Sequence, residues 1–336
     1  MRPFACATCR SLVFFENFHC VTCDSQLGFD RASADLVVLG GTGHTAPRCA
    51  NSGIANCNWL ADPTSTDGLC GSCALTRTRP DDSDTAALAA FAATEAAKRH
   101  LVFQLDRLGL PTTPDLRFDL LSSKDVPVTT GYAGGVITID LAEGNDPHRE
   151  AMRVQLAEPY RTLLGHLRHE VGHWYWAVLI EDSAFSAFQD RFRDLFGDER
   201  ADYAEALEAH YRKPDDPFWV DTHVSHYAAA HPWEDWAETF AHYLHINDTM
   251  QTAKAWGLHI TGPDLDLNLA SDAQLAVDPV DEPGEFDETA RAWLAFTFAL
   301  NAVNQSMGQG PLYPFVLTPK VLDKLRFVHA AIGANR

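Results

Sequence analysis

Apolar residues recur at helical spacing over long stretches of this chain and alternate over two short ones. From Thr85 to about Leu108, the positions Leu88, Phe91, Ala92, Leu101, Leu105 and Leu108 share one helix face. Ser83 or Asp84 caps that helix, and Gly109 with Pro111 closes it. Leu116–Leu121 alternates as a strand does, and Gly134–Leu141, β-branched and led by glycines, is the strongest strand signal. Two placements are open for that second strand: a sheet edge that holds an extended peptide by backbone pairing, or the sheet interior. Tyr160–Ile180 runs without proline behind Pro159, which suits a first helical turn. Asp182–Phe196 and Ala201–Tyr211 are helical in pattern, until Pro214, Pro217 and Phe218-Trp219 break it. Pro232 opens a further helix through His245. Asp264–Glu285 is acidic with prolines in or beside it, which reads as a loop or lid. Thr289–Met307 and Thr318–Ile332 are amphipathic helices that cover a core. The pattern predicts an α+β fold, mainly helical with a small sheet.

The chain has 336 residues, 46% of them hydrophobic, enough for a sizeable core and two or three domains. Its formal net charge of -20 argues against broad binding to nucleic acid or acidic membranes. No apolar run reaches the ~18 residues of a membrane span. Met1–Cys9 lacks a signal-peptide core, so the expectation is a cytoplasmic protein with reduced thiols.

All the cysteines lie in the first 73 residues. Cys6-Ala-Thr-Cys9 and Cys20-Val-Thr-Cys23 are two knuckles of a compact four-thiolate zinc site. Cys49, Cys57, Cys70 and Cys73 read as a second, less regular one, with His19 or His44 open as an extra ligand. Disulfides are disfavoured without a secretion signal, and no strand–helix pattern of the thioredoxin kind supports a redox pair. A small domain with little apolar sequence needs such metal staples. Residues 1–80 hold six Arg, no Lys and six acids (Glu16, Asp24, Asp30, Asp35, Asp62 and Asp67), which gives no phosphate-binding footprint. This segment is expected to be structural or to dock a protein. Arg77–Asp84, with Pro80, is the linker that separates domain 1–80 from domain 81–336.

The chemistry concentrates at His169-Glu170-Val171-Gly172-His173. On a helix, positions four apart point the same way, so both imidazoles can face one zinc ion. Glu170 can then handle the proton of a metal-bound water. The bland alternative is an ordinary polar helix face of His166, Arg168, His169 and Glu170. A third ligand decides between them. After Pro232, the positions Glu234, Glu238, His242 and His245 fall along one stripe, flanked by Trp233, Trp236, Phe240 and Leu244 and without paired lysines. Buried carboxylates beside histidines need a metal or hydrogen bonds to offset their desolvation. Either Glu234 or Glu238 is thus the third ligand.

These stretches, together with Ala96-Ala-Lys-Arg99, Glu158–His166, His231-Pro-Trp-Glu-Asp-Trp-Ala-Glu238 and Ala241–His245, resemble the bacterial zinc-binding metallopeptidases that carry an N-terminal zinc ribbon. The resemblance covers nearly the whole chain and implies a zincin-like, peptidase-type zinc site without naming a substrate. The site is also similar in spacing to gluzincins of the anthrax lethal-factor type, whose ligand glutamate opens a Glu-x-x-Ala-Glu helix seven residues after a catalytic tyrosine. That likeness implies Glu234 as ligand, Glu238 as the group orienting a histidine, and Tyr227 as donor to an oxyanion. The ribbon and the Trp-rich helices depart from the toxin group, so loops and specificity do not carry over.

The expected function is a zinc-dependent hydrolase of peptide or amide bonds, with His169, His173 and Glu234 on one catalytic zinc and two further zinc ions in the ribbon. Glu170 is its base and Tyr227 its oxyanion donor. The alternatives stay open: Glu238 as ligand, or Tyr227 as a packed aromatic with His223, His226 or His231 as donor. From a different class, the chain is a zinc-stabilised docking scaffold whose peptidase-like site is closed by a fourth protein ligand, His166 or His242.

Overall fold

The computed structural model describes residues 1–40, 46–112, 116–124, 126–144, 162–181, 186–212, 217–262 and 286–335. His44, Glu158–Tyr160 and the acidic stretch Asp264–Glu285 lie outside the described residues. The fold is α+β, and its chain divides into two compact units: residues 1–106 with 111–167, and residues 107–110 with 168–336.

The first unit begins with two antiparallel hairpins, β1 (Phe4–Ala5) with β2 (Leu12–Val13) and β3 (Leu27–Asp30) with β4 (Asp35–Val38). Such short strands bury little by themselves, so aromatic packing supplies the core. Phe15 meets Phe29 at 4.8 Å and Phe29 meets Trp59 at 4.9 Å between ring centroids. Phe103 of helix α1 (Thr85–Arg107) closes on Phe15 at 5.1 Å. Asp84 rather than Ser83 caps α1, its Oδ1 accepting from the Ala87 N–H at 3.0 Å. Gly109 follows at φ +67°, a left-handed stop that glycine adopts without a Cβ clash.

A four-stranded sheet completes this unit in the order β5-β6-β8-β7, from β5 (Thr76–Thr78), β6 (Arg117–Leu121), β7 (Gly131–Ala133) and β8 (Val136–Asp140). β6 runs parallel to both β5 and β8, while β7 returns antiparallel beside β8. Gly134 and Gly135, assigned to the strand from sequence, instead form the two-residue turn between β7 and β8 at φ +55° and +83°. Two positive φ values in a two-residue hairpin are what a glycine pair permits. The strand β8 is interior, so the edge-strand placement for it is wrong: β5 and β7 hold the edges.

The second unit is helical. Helix α2 (Leu163–Trp176) enters it at Arg168 and ends in a π turn over Ala177–Glu181. Helices α3 (Ser186–Phe196), α4 (Tyr203–Arg212), α5 (Pro232–Ala255), α6 (Phe286–Ser306) and α7 (Pro319–Gly333) follow. Pro232 and Pro319 stand in first turns, where a missing N–H costs nothing, and Thr318 Oγ1 caps α7 through the Val321 N–H. The core gathers on α5: Trp236 packs on Phe192, Phe196, Phe240 and Phe327. Among the described residues, no helix is long and apolar enough to cross a membrane.

Candidate metal centre

Helices α2 and α5 cross at close range because their contact is built on a residue without a side chain. A Cβ at Gly172 would lie 3.1 Å from Ala237 Cα and 3.2 Å from its carbonyl oxygen. The Trp236 indole N–H donates to the Gly172 carbonyl at 2.8 Å and fixes the helices in register. One turn of α2 then presents His169 and His173 to α5, their Nε2 atoms 3.2 Å apart. Glu234 Oε2 stands 3.1 Å from His169 Nε2 and 3.4 Å from His173 Nε2.

This triangle suits zinc. Two ligands about 2.05 Å from a tetrahedral ion are ~3.3 Å apart, close to all three edges. All three residues are buried, and no fourth His, Cys, Asp or Glu joins the cluster among the described residues. The two candidates for a closing ligand are engaged elsewhere: His166 Nδ1 lies 3.8 Å from Glu143, and His242 Nδ1 lies 2.6 Å from the Tyr313 hydroxyl.

The surroundings orient the donors. Glu238, one turn beyond Glu234, reaches His169 Nδ1 at 2.7 Å and accepts from Ser225 Oγ at 2.6 Å. A carboxylate behind the imidazole selects the tautomer that leaves Nε2 free for an ion. Burial alone would raise the Glu238 carboxyl, but its bond to His169 and the nearby His242 hold it at about 2. Glu234 is likewise held well below the usual carboxylate range by the two imidazoles, against the effect of burial. Burial works against a charged His169, yet the two carboxylates flanking it raise it well above the ordinary histidine value. Burial takes His242 down to about 4. Thus the inward stripe of α5 serves several partners: His245 Nδ1, its last member, sits 2.7 Å from Arg168 instead of near the triangle.

Glu170 is buried at 5% exposure and adjoins His169 on α2. Tyr227 opens a short helical turn packed on α5, its ring centroid 5.9 Å from that of His169. Burial and the Glu234 charge raise the Tyr227 phenol, so it stays protonated and able to donate. Among the alternative donors, His231 spends both nitrogens on backbone: Nδ1 accepts from the Trp233 N–H at 3.1 Å, and Nε2 donates to the Ala201 carbonyl at 3.2 Å. His223 is pushed to about 4 by burial and by Lys324, and its Nδ1 pairs with Thr222 Oγ1 at 2.8 Å. His226 lies against His210, ring centroids 4.3 Å apart and tilted by 40°. Behind α5, Lys324 of α7 donates to Asp235 Oδ2 at 2.5 Å and to the Thr222 carbonyl at 2.7 Å.

A family described as "Putative zinc-binding metallo-peptidase" matches residues 87–331. The chain belongs to this family. A zinc-ribbon domain matches residues 3–84. Two proteins, one from Mycobacterium bovis and one from Mycobacterium tuberculosis, are each 47% identical over 99% of this chain and 95% of their own length, and both are named only as uncharacterized. No solved structure matches the chain.

In the ribbon the eight cysteines form two clusters: Cys6, Cys9, Cys20 and Cys23, which range from buried to exposed, and Cys49, Cys57, Cys70 and Cys73, which are all buried. Sulfur–sulfur distances of 3.7 Å (Cys6–Cys23), 3.6 Å (Cys9–Cys20) and 3.7 Å (Cys57–Cys70) are near the ~3.8 Å edge of a tetrahedral zinc–thiolate centre. His19 belongs to neither cluster. Backbone N–H groups of Cys70 and Cys73 point at Cys49 and Cys70 sulfurs at 3.2 and 3.4 Å, which favours thiolates.

Two contributors to the metal centre escaped sequence reasoning. Ser225 lacks any motif, although it stands two residues before Tyr227. Tyr203, the first residue of α4, donates its hydroxyl to Glu234 Oε1 at 2.7 Å. Only the accounting of a buried carboxylate's second oxygen calls for such a donor.

Proposed function

We propose that this protein is a zinc-dependent peptidase or amidase whose catalytic zinc is held by His169, His173 and Glu234. The observation that carries the reading is the three-donor triangle with ion-sized edges and no fourth protein donor among the described residues, since catalytic zinc sites keep a position open whereas structural ones are closed. Zinc, when bound there, supplies a Lewis acid that makes a water acidic at neutral pH and polarises a carbonyl. Glu170 takes the proton of the attacking water and delivers it to the departing amine. Tyr227 donates its hydroxyl to the carbonyl oxygen as that oxygen becomes anionic. Glu238, held by Ser225, keeps the His169 ring turned so that Nε2 faces the ion.

The substrate of this reading is a peptide or protein. The ribbon, taken as a domain over residues 1–80 ahead of the peptidase domain over 81–336, carries two structural zinc ions on its eight thiolates and is the surface that docks a protein. Reduced thiolates fit a cytoplasmic location. The deciding experiment is Glu170→Gln: amide-hydrolysing activity is lost while zinc is retained. Unchanged activity in that variant refutes the assignment.

A further inference from the structure

Glu234 is a carboxylate with two oxygens, and a zinc ligand of this kind binds through one or through both. Binding through both fills the coordination position that a catalytic site must leave for water. In this structure the choice is already biased. Oε2 faces the two imidazole nitrogens, while Oε1 accepts a hydrogen bond from Tyr203 at 2.7 Å. We propose that Tyr203 is a positioning residue that holds Glu234 as a one-oxygen ligand and thereby keeps the metal position open. The inference rests on the zinc reading above.

The hydroxyl is held in place by more than its own bond. Asp202 Oδ1 accepts from the Glu205 N–H at 2.8 Å and fixes the start of α4, where Tyr203 stands. The preceding residue but one, Ala201, is tied to the first turn of α5 through His231, whose other nitrogen caps that same helix. The Tyr203 ring lies against His231 at 5.3 Å and Trp233 at 6.1 Å. Trp233 in turn covers His173 at 4.0 Å. The phenol thus reaches Glu234 from a wall anchored to the ligand helix itself. Glu234 is only 1% exposed, so bulk water cannot easily supply the donor that Tyr203 supplies.

The test is zinc affinity rather than turnover. Protein stripped of the His-bound metal by a mild chelator, with its thiolate zinc retained, is titrated with zinc. Tyr203→Phe is expected to weaken binding at the His169–His173–Glu234 site by about 10–100-fold, the usual cost of losing a partner behind a metal ligand. A change below twofold overturns the proposal. A second comparison separates positioning from packing. In a Glu234→His background, which keeps three ligands but offers no carboxylate oxygen, Tyr203→Phe is expected to cost nothing. An equal loss in both backgrounds means that the ring merely packs, and overturns the proposal. Wild-type protein that takes up no zinc at this site overturns both the proposal and the reading beneath it. If Glu170→Gln leaves hydrolysis intact while Tyr203→Phe weakens zinc in the wild-type background alone, the hydrolase mechanism falls and the positioning role stands.

Discussion

Gly172 is the position at which a single methyl group should separate the proposed metal ligands. Carbon atoms in comfortable contact are about 3.5–4.0 Å apart, so the 3.1 and 3.2 Å approaches to Ala237 require roughly 0.5 Å of extra room. Both obstacles are backbone atoms of α5, a 24-residue helix, so no side-chain rotation relieves them. Overpacking of this kind costs about 1–3 kcal/mol, and alanine returns about 1 kcal/mol through its better helix propensity. The net loss for Gly172→Ala is about 1 kcal/mol, or roughly 2–4 °C in Tm for a unit of this size. The effect on zinc is larger in kind. The nitrogens ride on α2 and Oε2 on α5, so parting the helices by about 0.5 Å stretches the 3.1 and 3.4 Å edges to about 3.6 and 3.9 Å, past the ~3.3 Å that zinc favours. Zinc affinity at this site should fall at least about tenfold, equivalent to ~1.4 kcal/mol, while the ribbon keeps its metal. Chelator competition, with melting curves taken in and out of zinc, measures both. A Gly172→Ala protein that melts and binds zinc as the wild type does would show that the close crossing is not what sets the triangle.

The His–Glu triangle and the ribbon each yield a further expected outcome. In the metal-free protein His169 is held protonated between Glu234 and Glu238 at neutral pH; an ion on Nε2 must displace that proton, so zinc binding releases at least one proton and tightens as pH rises. Calorimetry in two buffers of different ionisation enthalpy reads the release, and a net uptake contradicts it. In the ribbon, Arg10 follows Cys9 at φ +65° with its N–H bonded to the Cys6 carbonyl at 2.9 Å. A left-handed residue with a Cβ costs about 1–2 kcal/mol, so Arg10→Gly should stabilise the zinc-loaded ribbon by about 1 kcal/mol. Asp24→Gly, at φ +57° after Cys23, should gain less because aspartate tolerates that region better. A lower melting temperature for Arg10→Gly would contradict this.

The parts of the architecture that were legible in sequence are those set by local rules. Helix α2, the proline-led start of α5 and the cysteine knuckles all follow from spacing within a few residues. The choice between Glu234 and Glu238 was not legible from helical spacing, because residues four apart share a face and differ only by one turn of rise; only the likeness to the gluzincins favoured Glu234. In the structure that turn matters: Glu234 meets the Nε2 atoms and Glu238 meets Nδ1 behind them. The parallel pairing of β5, β6 and β8 was equally hidden, since a strand's pattern does not name its neighbour. Tyr203 lies 31 residues before its partner in the chain and carries no periodic signal, so only the unsatisfied oxygen of Glu234 could have pointed to it.

The two hydrogen bonds that Lys324 donates, to Asp235 and to the Thr222 carbonyl, have a consequence for biosynthesis. The thiolates of the ribbon are all translated within the first 73 residues and can capture zinc while the rest of the chain is still being made, as amino-terminal segments generally fold first. The His–Glu centre has no such early start. The segment at Thr222, five residues before Tyr227, and the helix carrying Glu234 are pinned together by a lysine of α7, so that pocket is completed only once the chain through Lys324 has left the ribosome.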